Sequence, residues 1–245
     1  MKGRHNMKRK KRIIVLSLAV ILAAGIGIFA YQKANTGTEE GPEEGGHFIE
    51  AENPEEEIKY ADISKATAGD KVRLGDFEGE MAWDVLDEKD GNLMLISTHC
   101  IAQRAYHNKK TAVTWEQSEM RKWLNETFYE QGFSKEEKAM IRQTQVANPD
   151  NDTFGTKGGR DTSDHVYLLS AAEAEEYYAE TSERMATLRD GTLVWWWLRS
   201  PGFEAHDAAN IGDYGTVNKA GHKVFDTDVV KGGVRPVIWI KKTSK

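Results

Sequence analysis

The sequence predicts an α+β fold, because strand-like segments come first and last and helix-like segments lie between them. Three observations support this prediction. Apolar and more polar residues alternate along 81–86, as in a half-buried strand. Residues 114–133 place apolar side chains at helical spacing. From residue 193 onward, short apolar runs are interrupted by Gly, Asp and Pro, which is typical of short strands.

The chain begins with a basic stretch and a long uncharged one. Residues 1–12 are rich in Lys and Arg, and the 19 residues 13–31 carry no charged side chain. As a helix, residues 13–31 span about 28 Å, close to the hydrocarbon thickness of about 30 Å. The sequence therefore predicts a cytoplasmic tail over 1–12 and a transmembrane helix or signal anchor over 13–31. A cleavable signal peptide is the alternative, and it also sends the remaining residues out of the cytoplasm.

An acidic segment follows the uncharged one. Residues 34–58 contain nine glutamates, four glycines and two prolines, with few apolar side chains. Such a composition buries too little apolar surface to offset the entropy lost on ordering. We therefore predict a disordered stalk over 32–58, with an acidic interaction tail as the alternative.

Charge and cysteine content restrict the possible partners. Residues 1–33 hold eight basic side chains, which leaves 25 basic and 39 acidic side chains, a formal charge of −14, on the other 212 residues. A surface this acidic repels phosphates, so no nucleic-acid partner is expected. Cys100 is the only cysteine. The chain therefore has no internal disulfide, which is compatible with a bacterial surface protein.

The extracytoplasmic globular domain is expected over 59–245. A Lys-Asp-Gly turn at 89–91 joins the strand at 81–86 to a second strand that contains Leu93 and Leu95. Three helices should follow, each marked by a Ser or Thr with Glu or Gln three residues later. These capping-box pairs are Thr114 with Gln117, Ser134 with Glu137, and Ser170 with Glu173. The apolar face of the first helix should pack in the core through Met120, Trp123, Leu124 and Phe128.

Five ordered motifs resemble a bacterial family of domains of unknown function. They are TWEQSEMRKWLN, FSKEEKAMI, NPDNDTFGTKGGRDTSDHVYLLS, WWWLRSPG and GGVRPVIWI. Members of that family typically carry a Trp-Leu-Arg-Ser-Pro-Gly stretch and a terminal Gly-Val-Arg-Pro strand, and the resemblance covers about residues 68–241. It implies a C-type-lectin-like fold, with short antiparallel sheets flanked by about three helices and a distant similarity to formylglycine-generating, sulfatase-modifying domains. It implies no established activity.

In such a fold the closing strands, near 194–200 and 234–240, are expected to pair in the central sheet. Alternation along the first strand then puts Trp195, Trp197 and Arg199 on one face and Trp196 on the other. Burial of an indole contributes about 2–3 kcal/mol. We therefore expect Trp196 and Trp197 to be structural rather than a ligand platform.

Two arginines accompany these strands. Arg199 and Arg235 need acceptors for five N–H donors each if they are partly buried. The sequence predicts internal ion pairs, with Asp226 or Asp228 as candidate partners, and a structural role for Arg235. The alternative is that one arginine faces a cleft and binds an anionic ligand.

The candidate ligand-binding surface lies along and after the tryptophan run. A turn-rich segment is expected to expose its side chains there. The candidate residues are Trp195, Arg199, Phe203, His206, Asp207, Asn210 and Tyr214.

No metal or cofactor is expected. Asp150, Asp152 and Asp161, in the Asn-, Asp- and Gly-rich loop over 148–165, are the fallback calcium ligands, but their spacing departs from an EF-hand. A transition-metal site at His99 and Cys100 is disfavoured, because adjacent strand residues point to opposite faces. The cysteine pair that formylglycine-generating enzymes use near the C-terminal part of the domain has no counterpart after Cys100.

Together these features predict a membrane-anchored, extracytoplasmic binding module without catalytic activity. Its ligand is a glycan, a cell-wall peptide or a protein, and residues 13–31 are its contact with the membrane. An extracytoplasmic enzyme with an unrecognised site and a purely structural surface module are the alternatives. The sequence contains no Gly-x-Ser-x-Gly elbow, no His-Glu-x-x-His helix and no phosphate-binding loop.

Overall fold

The computed structural model describes residues 58–225 and 232–242. This part of the chain has a mixed α+β architecture with many short strands and few helices. None of its helices is both long enough and apolar enough to cross a membrane. The predicted tail over 1–12, the predicted membrane segment over 13–31 and all but the last residue of the predicted stalk over 32–58 lie outside the described residues.

The first sheet has four antiparallel strands. β1 (Lys71–Asp76), β2 (Glu80–Lys89), β3 (Asn92–Ser97) and a last strand, β13 (Val237–Lys241), lie in the order β1-β2-β3-β13. Buried and less buried residues alternate along β2, whereas β3 is buried on both faces after its first residue. This sheet is therefore covered on one face at β2 and on both faces at β3.

A tight turn joins β2 to β3 and confirms the predicted hairpin. Asp90 and Gly91 have positive φ angles of 49° and 73°. Lys89 pairs with Asn92 directly beyond them. An Asp-Gly pair adopts this conformation at little cost, and its twist matches that of the flanking strands.

Short helical segments follow the first strands along the chain. A 3-10 turn (Trp115–Gln117) precedes α1 (Glu119–Trp123), a π-helical turn (Leu124–Phe128) and α2 (Tyr129–Gly132), and α3 (Lys135–Met140) follows. The predicted apolar face of this stretch is confirmed as core, since three of its four members are buried and the fourth packs against them. Further along are α4 (Ala171–Tyr177) and a second 3-10 turn (Ser182–Arg184).

Two of the three predicted capping boxes are confirmed, at the starts of α3 and α4. The third is wrong. Thr114 makes no capping hydrogen bond, and α1 is capped instead by Ser118, whose Oγ accepts from the Arg121 N–H at 3.1 Å. A 3-10 turn occupies the residues between Thr114 and Ser118, so the helix starts later than the sequence pattern indicates.

The second sheet has five strands in the order β11-β10-β9-β12-β4. Neighbouring strands within this sheet are antiparallel, except that β12 runs parallel to β9. The strands are β4 (Ala102–Arg104), β9 (Trp196–Pro201), β10 (Asp207–Ile211), β11 (Val217–Lys223) and β12 (Gly232–Val234).

Two small antiparallel ladders complete the described strands. β5 (Thr144–Val146) pairs with β6 (Thr162–Asp164), and β7 (Ala186–Thr187) pairs with β8 (Leu193–Val194). The first ladder closes the base of the long loop that joins its two strands. It therefore holds the two ends of that loop together.

The closing strands do not pair with each other as expected. Gly233 of β12 is the residue that pairs with Trp196 of β9, whereas β13 pairs with β3 in the other sheet. Arg235 and Pro236 lie between β12 and β13. Proline has no N–H for a ladder, so the Val-Arg-Pro sequence ends one strand and lets the chain cross to the other sheet.

Candidate functional site

The two central tryptophans lie inside the domain. Trp196 and Trp197 have no exposed surface. The Trp196 Nε1–H donates to the Arg184 carbonyl at 2.8 Å, and the Trp197 Nε1–H donates to the Arg104 carbonyl at 2.9 Å. Both indoles therefore have their single donor satisfied within the fold, and neither is available as a platform for a ligand.

Trp195 is only half-buried. Its ring meets that of Trp197 edge-on, with centroids 4.7 Å apart, and lies 4.7 Å from the ring of His222. The contact with Trp197 agrees with the expected shared face of these alternate residues. Trp195 thus covers the indole beneath it and presents only part of its own surface.

Arg199 is an internal cation. Its side chain is 3% exposed, and its guanidinium forms an ion pair with Glu173, including an Nη2–Oε1 hydrogen bond of 2.8 Å. It also donates to the carbonyls of Leu168 and Ala147 at 2.8 and 3.0 Å. All five donors have acceptors within the fold, so the expected ligand contact through Arg199 is not supported by its position.

Arg235 is a second internal cation. Its Nε–H donates to the Ser97 carbonyl at 2.7 Å, and its Nη2 contacts Asp84 Oδ2 at 3.1 Å. The guanidinium also lies over the rings of Trp196 and Tyr178, 5.4 and 5.7 Å from their centroids. The corner between β12 and β13 is thereby attached to β2 and β3. The internal ion pairs expected for both arginines exist, with Glu173 and Asp84 as partners, whereas the candidates Asp226 and Asp228 lie outside the described residues.

Two candidate residues expected on an exposed loop are buried instead. Asp207 and Asn210 belong to β10 and are 9% and 1% exposed. The Asn210 Oδ1 accepts from the Asn218 Nδ2–H at 3.0 Å across the β10–β11 pair. The turn-rich composition of this segment marks the loops at its ends, and β10 between them is covered on both sides.

Two candidate residues are exposed and lie on loops. Phe203 and Tyr214 are 57% and 79% exposed, as the sequence analysis expects of that segment. Phe154, which the sequence analysis missed, is 41% exposed and meets Phe203 edge-on, with centroids 5.0 Å apart. Phe154 is a single apolar residue among Asn, Asp and Gly residues and belongs to no apolar stripe of a helix or strand. That isolation was the feature of the sequence that could have identified it as an exposed residue. We call Phe154 and Phe203 the aromatic pair.

The loops that carry the aromatic pair are held by side-chain hydrogen bonds. The buried Asn151 amide donates to the carbonyls of Pro201 and Lys219 at 2.8 and 2.9 Å, and its Oδ1 accepts from the Phe154 N–H at 3.1 Å. Thr156 Oγ1 donates to the Phe203 carbonyl at 2.8 Å. The aromatic pair is therefore fixed at the meeting point of two loops, and the loop over 148–165 is ordered.

The fallback calcium ligands already have partners. Lys157 Nζ lies 2.6 Å from Asp150 Oδ2, and its hydrogen bond lowers the pKa of that carboxyl. Lys219 likewise lowers the pKa of Asp152, at 2.9 Å. Asp161 Oδ1 accepts a backbone hydrogen bond from the Asn148 N–H at 2.9 Å. These three carboxylates bind lysines and backbone and do not converge on one point.

The single thiol is inert. Cys100 is 2% exposed, and burial raises its pKa to about 12, although Arg235 opposes the shift. The neighbouring His99 has its Nδ1 3.0 Å from Thr187 Oγ1, and burial lowers its pKa. A protonated, buried thiol is neither a nucleophile nor a ready metal ligand at neutral pH.

Comparison with known proteins gives a family and no function. A family model described as "Domain of unknown function (DUF6273)" matches residues 90–242, which is more than half of the chain. None of the curated proteins matches the chain, and none of the solved structures does.

Proposed function

The chain belongs to the family of domains of unknown function that its residues 90–242 match, and we propose that this member is a membrane-anchored, extracytoplasmic binding module for a glycan of the cell envelope. The module carries out no catalysis and has a C-type-lectin-like fold. The exposed aromatic pair is the observation that carries the proposal.

The aromatic pair has the properties of a recognition surface. Large apolar side chains at the tip of ordered loops add nothing to the core, and exposed apolar groups with a polar rim mark interaction sites. The rim here includes Thr156 and the Asp152–Lys219 ion pair. Apolar faces beside convergent polar groups suit a sugar ring, which presents C–H faces and hydroxyl groups together.

The buried strand β9 supports this surface. The side chains of Trp196, Trp197 and Arg199 on β9 are buried in the domain. The strand ends at Pro201, directly before the loop that bears Phe203. The Asn151 amide connects that strand end to the loop of Phe154. The rigid interior thereby fixes where the two rings meet, which lowers the entropy lost when a ligand binds.

The basic tail and the uncharged segment over 13–31 support the membrane anchor. We expect the full chain to stay in the membrane fraction after an alkaline wash. External protease should release a soluble fragment by cutting within residues 34–58, because an acidic stalk has no packed core to protect it. Recovery of a free chain that starts near Tyr31 would show that the segment is cleaved.

Glycan binding is tested by co-sedimentation of the full chain with purified bacterial cell-wall sacculi. The double variant Phe154→Ala with Phe203→Ala should lose at least about tenfold in apparent affinity, because two exposed rings are removed and the fold is untouched. Leu193→Ala is the control, because it truncates an exposed apolar side chain on the β7–β8 pair, outside the two loops. This variant should bind as the wild type does. Equal sedimentation of the double variant and the wild type, or none by the wild type, contradicts the proposal.

A further inference from the structure

Three potential metal ligands converge in the turn that precedes and begins β10. Glu204, His206 and Asp207 each offer one ligand atom, and these atoms lie within 4.8 Å of one another. Glu204 Oε2 and His206 Nε2 are 3.1 Å apart. The turn itself is fixed by backbone bonding, since the Asp207 N–H donates to the Glu204 carbonyl at 2.9 Å and the Glu204 N–H donates to Asp207 Oδ2 at 3.2 Å.

An unpartnered buried oxygen points to a missing ligand. Asp207 is 9% exposed, and its Oδ1 is buried without a hydrogen-bond partner. A buried carboxylate oxygen that accepts no hydrogen bond has lost its hydration, and the Lys223 ammonium at 4.0 Å is too distant to replace that hydrogen bond. The other oxygen of the same carboxylate is engaged by the Glu204 N–H, so Oδ1 is the atom left for a further contact.

The ammonium group of Lys223 lies among the three ligand atoms and marks the position that a bound cation would take. Its Nζ lies 3.1 Å from His206 Nε2, 3.9 Å from Glu204 Oε2 and 4.0 Å from Asp207 Oδ1. The ammonium is thus central to the three ligand atoms but too far from both carboxylates for hydrogen bonds. Its side chain is 52% exposed, so it can withdraw into solvent when another cation enters.

We propose that Glu204, His206 and Asp207 bind a divalent transition-metal ion of the Zn²⁺ type. One imidazole nitrogen and two carboxylate oxygens are ligands that Zn²⁺ accepts, whereas the imidazole makes the set unsuitable for Ca²⁺ or Mg²⁺. Tetrahedral Zn²⁺ with bonds of about 2.0–2.2 Å holds its ligand atoms about 3.3–3.6 Å apart. The 3.1 Å between Glu204 Oε2 and His206 Nε2 is close to that spacing, and any pair near the 4.8 Å limit must contract by roughly 1 Å. The coordination leaves a fourth position open for water or for an oxygen of a bound molecule.

This metal site revises the expectation that the domain binds no metal, and it does not depend on glycan binding. The site follows Phe203 directly in sequence, so both features occupy the same loop. Zn²⁺ takes the place of the Lys223 ammonium among the three ligand atoms: three coordination bonds form, the contact between Lys223 Nζ and His206 Nε2 is lost, and no covalent bond of the chain changes. Removal of the lysine charge should therefore strengthen metal binding, and removal of the imidazole should weaken it.

The test is Zn²⁺ titration of the full chain in detergent by isothermal calorimetry, without any glycan. His206→Gln should lower the affinity for Zn²⁺ at least about tenfold. Loss of a residue that only hydrogen-bonds to a metal ligand already costs about 10- to 100-fold in affinity, and His206 is a direct ligand. Lys223→Met should tighten it by up to about fivefold, since an exposed charge contributes up to about 1 kcal/mol. Glu136→Gln, a change at an exposed acidic residue of α3 that belongs to neither proposed site, should leave the isotherm unchanged.

Cobalt supplies a readout of the ligand set. Co²⁺ added to the wild type should give visible absorption bands of a low-coordinate site, and His206→Gln should lose them. Circular dichroism of each variant shows that it is folded before titration. Identical Zn²⁺ isotherms for the wild type and His206→Gln overturn the proposal, and glycan binding would remain to be judged by the sedimentation experiment alone.

Discussion

Arg199 and Glu173 form the ion pair that connects β9 to α4. The carboxylate serves two partners at once, because Glu173 Oε2 also accepts the Ser170 N–H of the capping box at 2.9 Å. A buried ion pair contributes little net stability when intact, but the loss of one partner leaves the other charge without compensation. The stability of the domain therefore depends on Glu173 more than it would on an ordinary acidic residue of a short helix.

Glu173→Gln should destabilise the domain by about 3 kcal/mol, because the buried Arg199 guanidinium loses its countercharge. Burial alone would raise the pKa of Glu173, but the Arg199 and Ser170 hydrogen bonds outweigh it and the pKa is lowered. A lowered pKa stabilises the fold above the ordinary glutamate pKa of about 4.3, and this stability is lost as pH falls through the folded value.

Urea unfolding at several pH values measures both effects. The stability difference between the wild type and Glu173→Gln should shrink as pH falls below the ordinary glutamate pKa of about 4.3 and through the lower pKa of the folded state, where the wild-type carboxyl becomes protonated. Glu136→Gln, at an exposed position of α3, should stay within about 0.5 kcal/mol of the wild type. A Glu173→Gln variant as stable as that control would refute the role given to the pair.

At the level of single elements, the sequence predicted the features that depend only on contacts between neighbouring residues. The boxes at Ser134 and Ser170 need only four consecutive residues, so sequence spacing was enough to find them. The box at Thr114 failed because Ser118 caps α1 and the intervening residues form a 3-10 turn. The Asp90-Gly91 turn was predictable for the same local reason.

Pairing between distant elements was not predictable in this way. The expected pairing of 194–200 with 234–240 failed because the chain changes sheets at Arg235 and Pro236. Alternation shows that a segment is a strand and which residues share a face, but it does not identify the neighbouring strand. The partners of the buried arginines were missed for a similar reason, since Glu173 and Asp84 are distant from them in sequence.

The exposure of the candidate residues was predicted in part. Phe203 and Tyr214 were placed on exposed loops, whereas Asp207 and Asn210 were expected there and are buried in β10. Phe154 was missed because its contact with Phe203 requires two loops to meet, and nothing in either loop sequence specifies that meeting. Asn151 makes it possible through three backbone carbonyl and amide contacts.

At the scale of the whole molecule, the order of strand-like and helix-like segments sufficed for the α+β class. Both sheets contribute to one interior, whose largest fully buried side chains are aromatic. These are Trp83, Trp115, Trp196, Trp197, Tyr106 and Phe128. We propose a division of roles between this interior and the aromatic pair on the loops: the buried residues 196–199 stabilise the fold, and the exposed Phe154 and Phe203 are the surface available to a ligand.

Urea unfolding of two variants side by side tests this division most directly. Trp197→Ala should cost about 3–5 kcal/mol, because it leaves a cavity in a close-packed interior. The double variant Phe154→Ala with Phe203→Ala should cost about 1 kcal/mol or less, because it removes one exposed ring contact. If Trp197→Ala instead unfolds at the wild-type urea concentration while the double phenylalanine variant unfolds far earlier, the tryptophan run is the surface feature and the division is wrong.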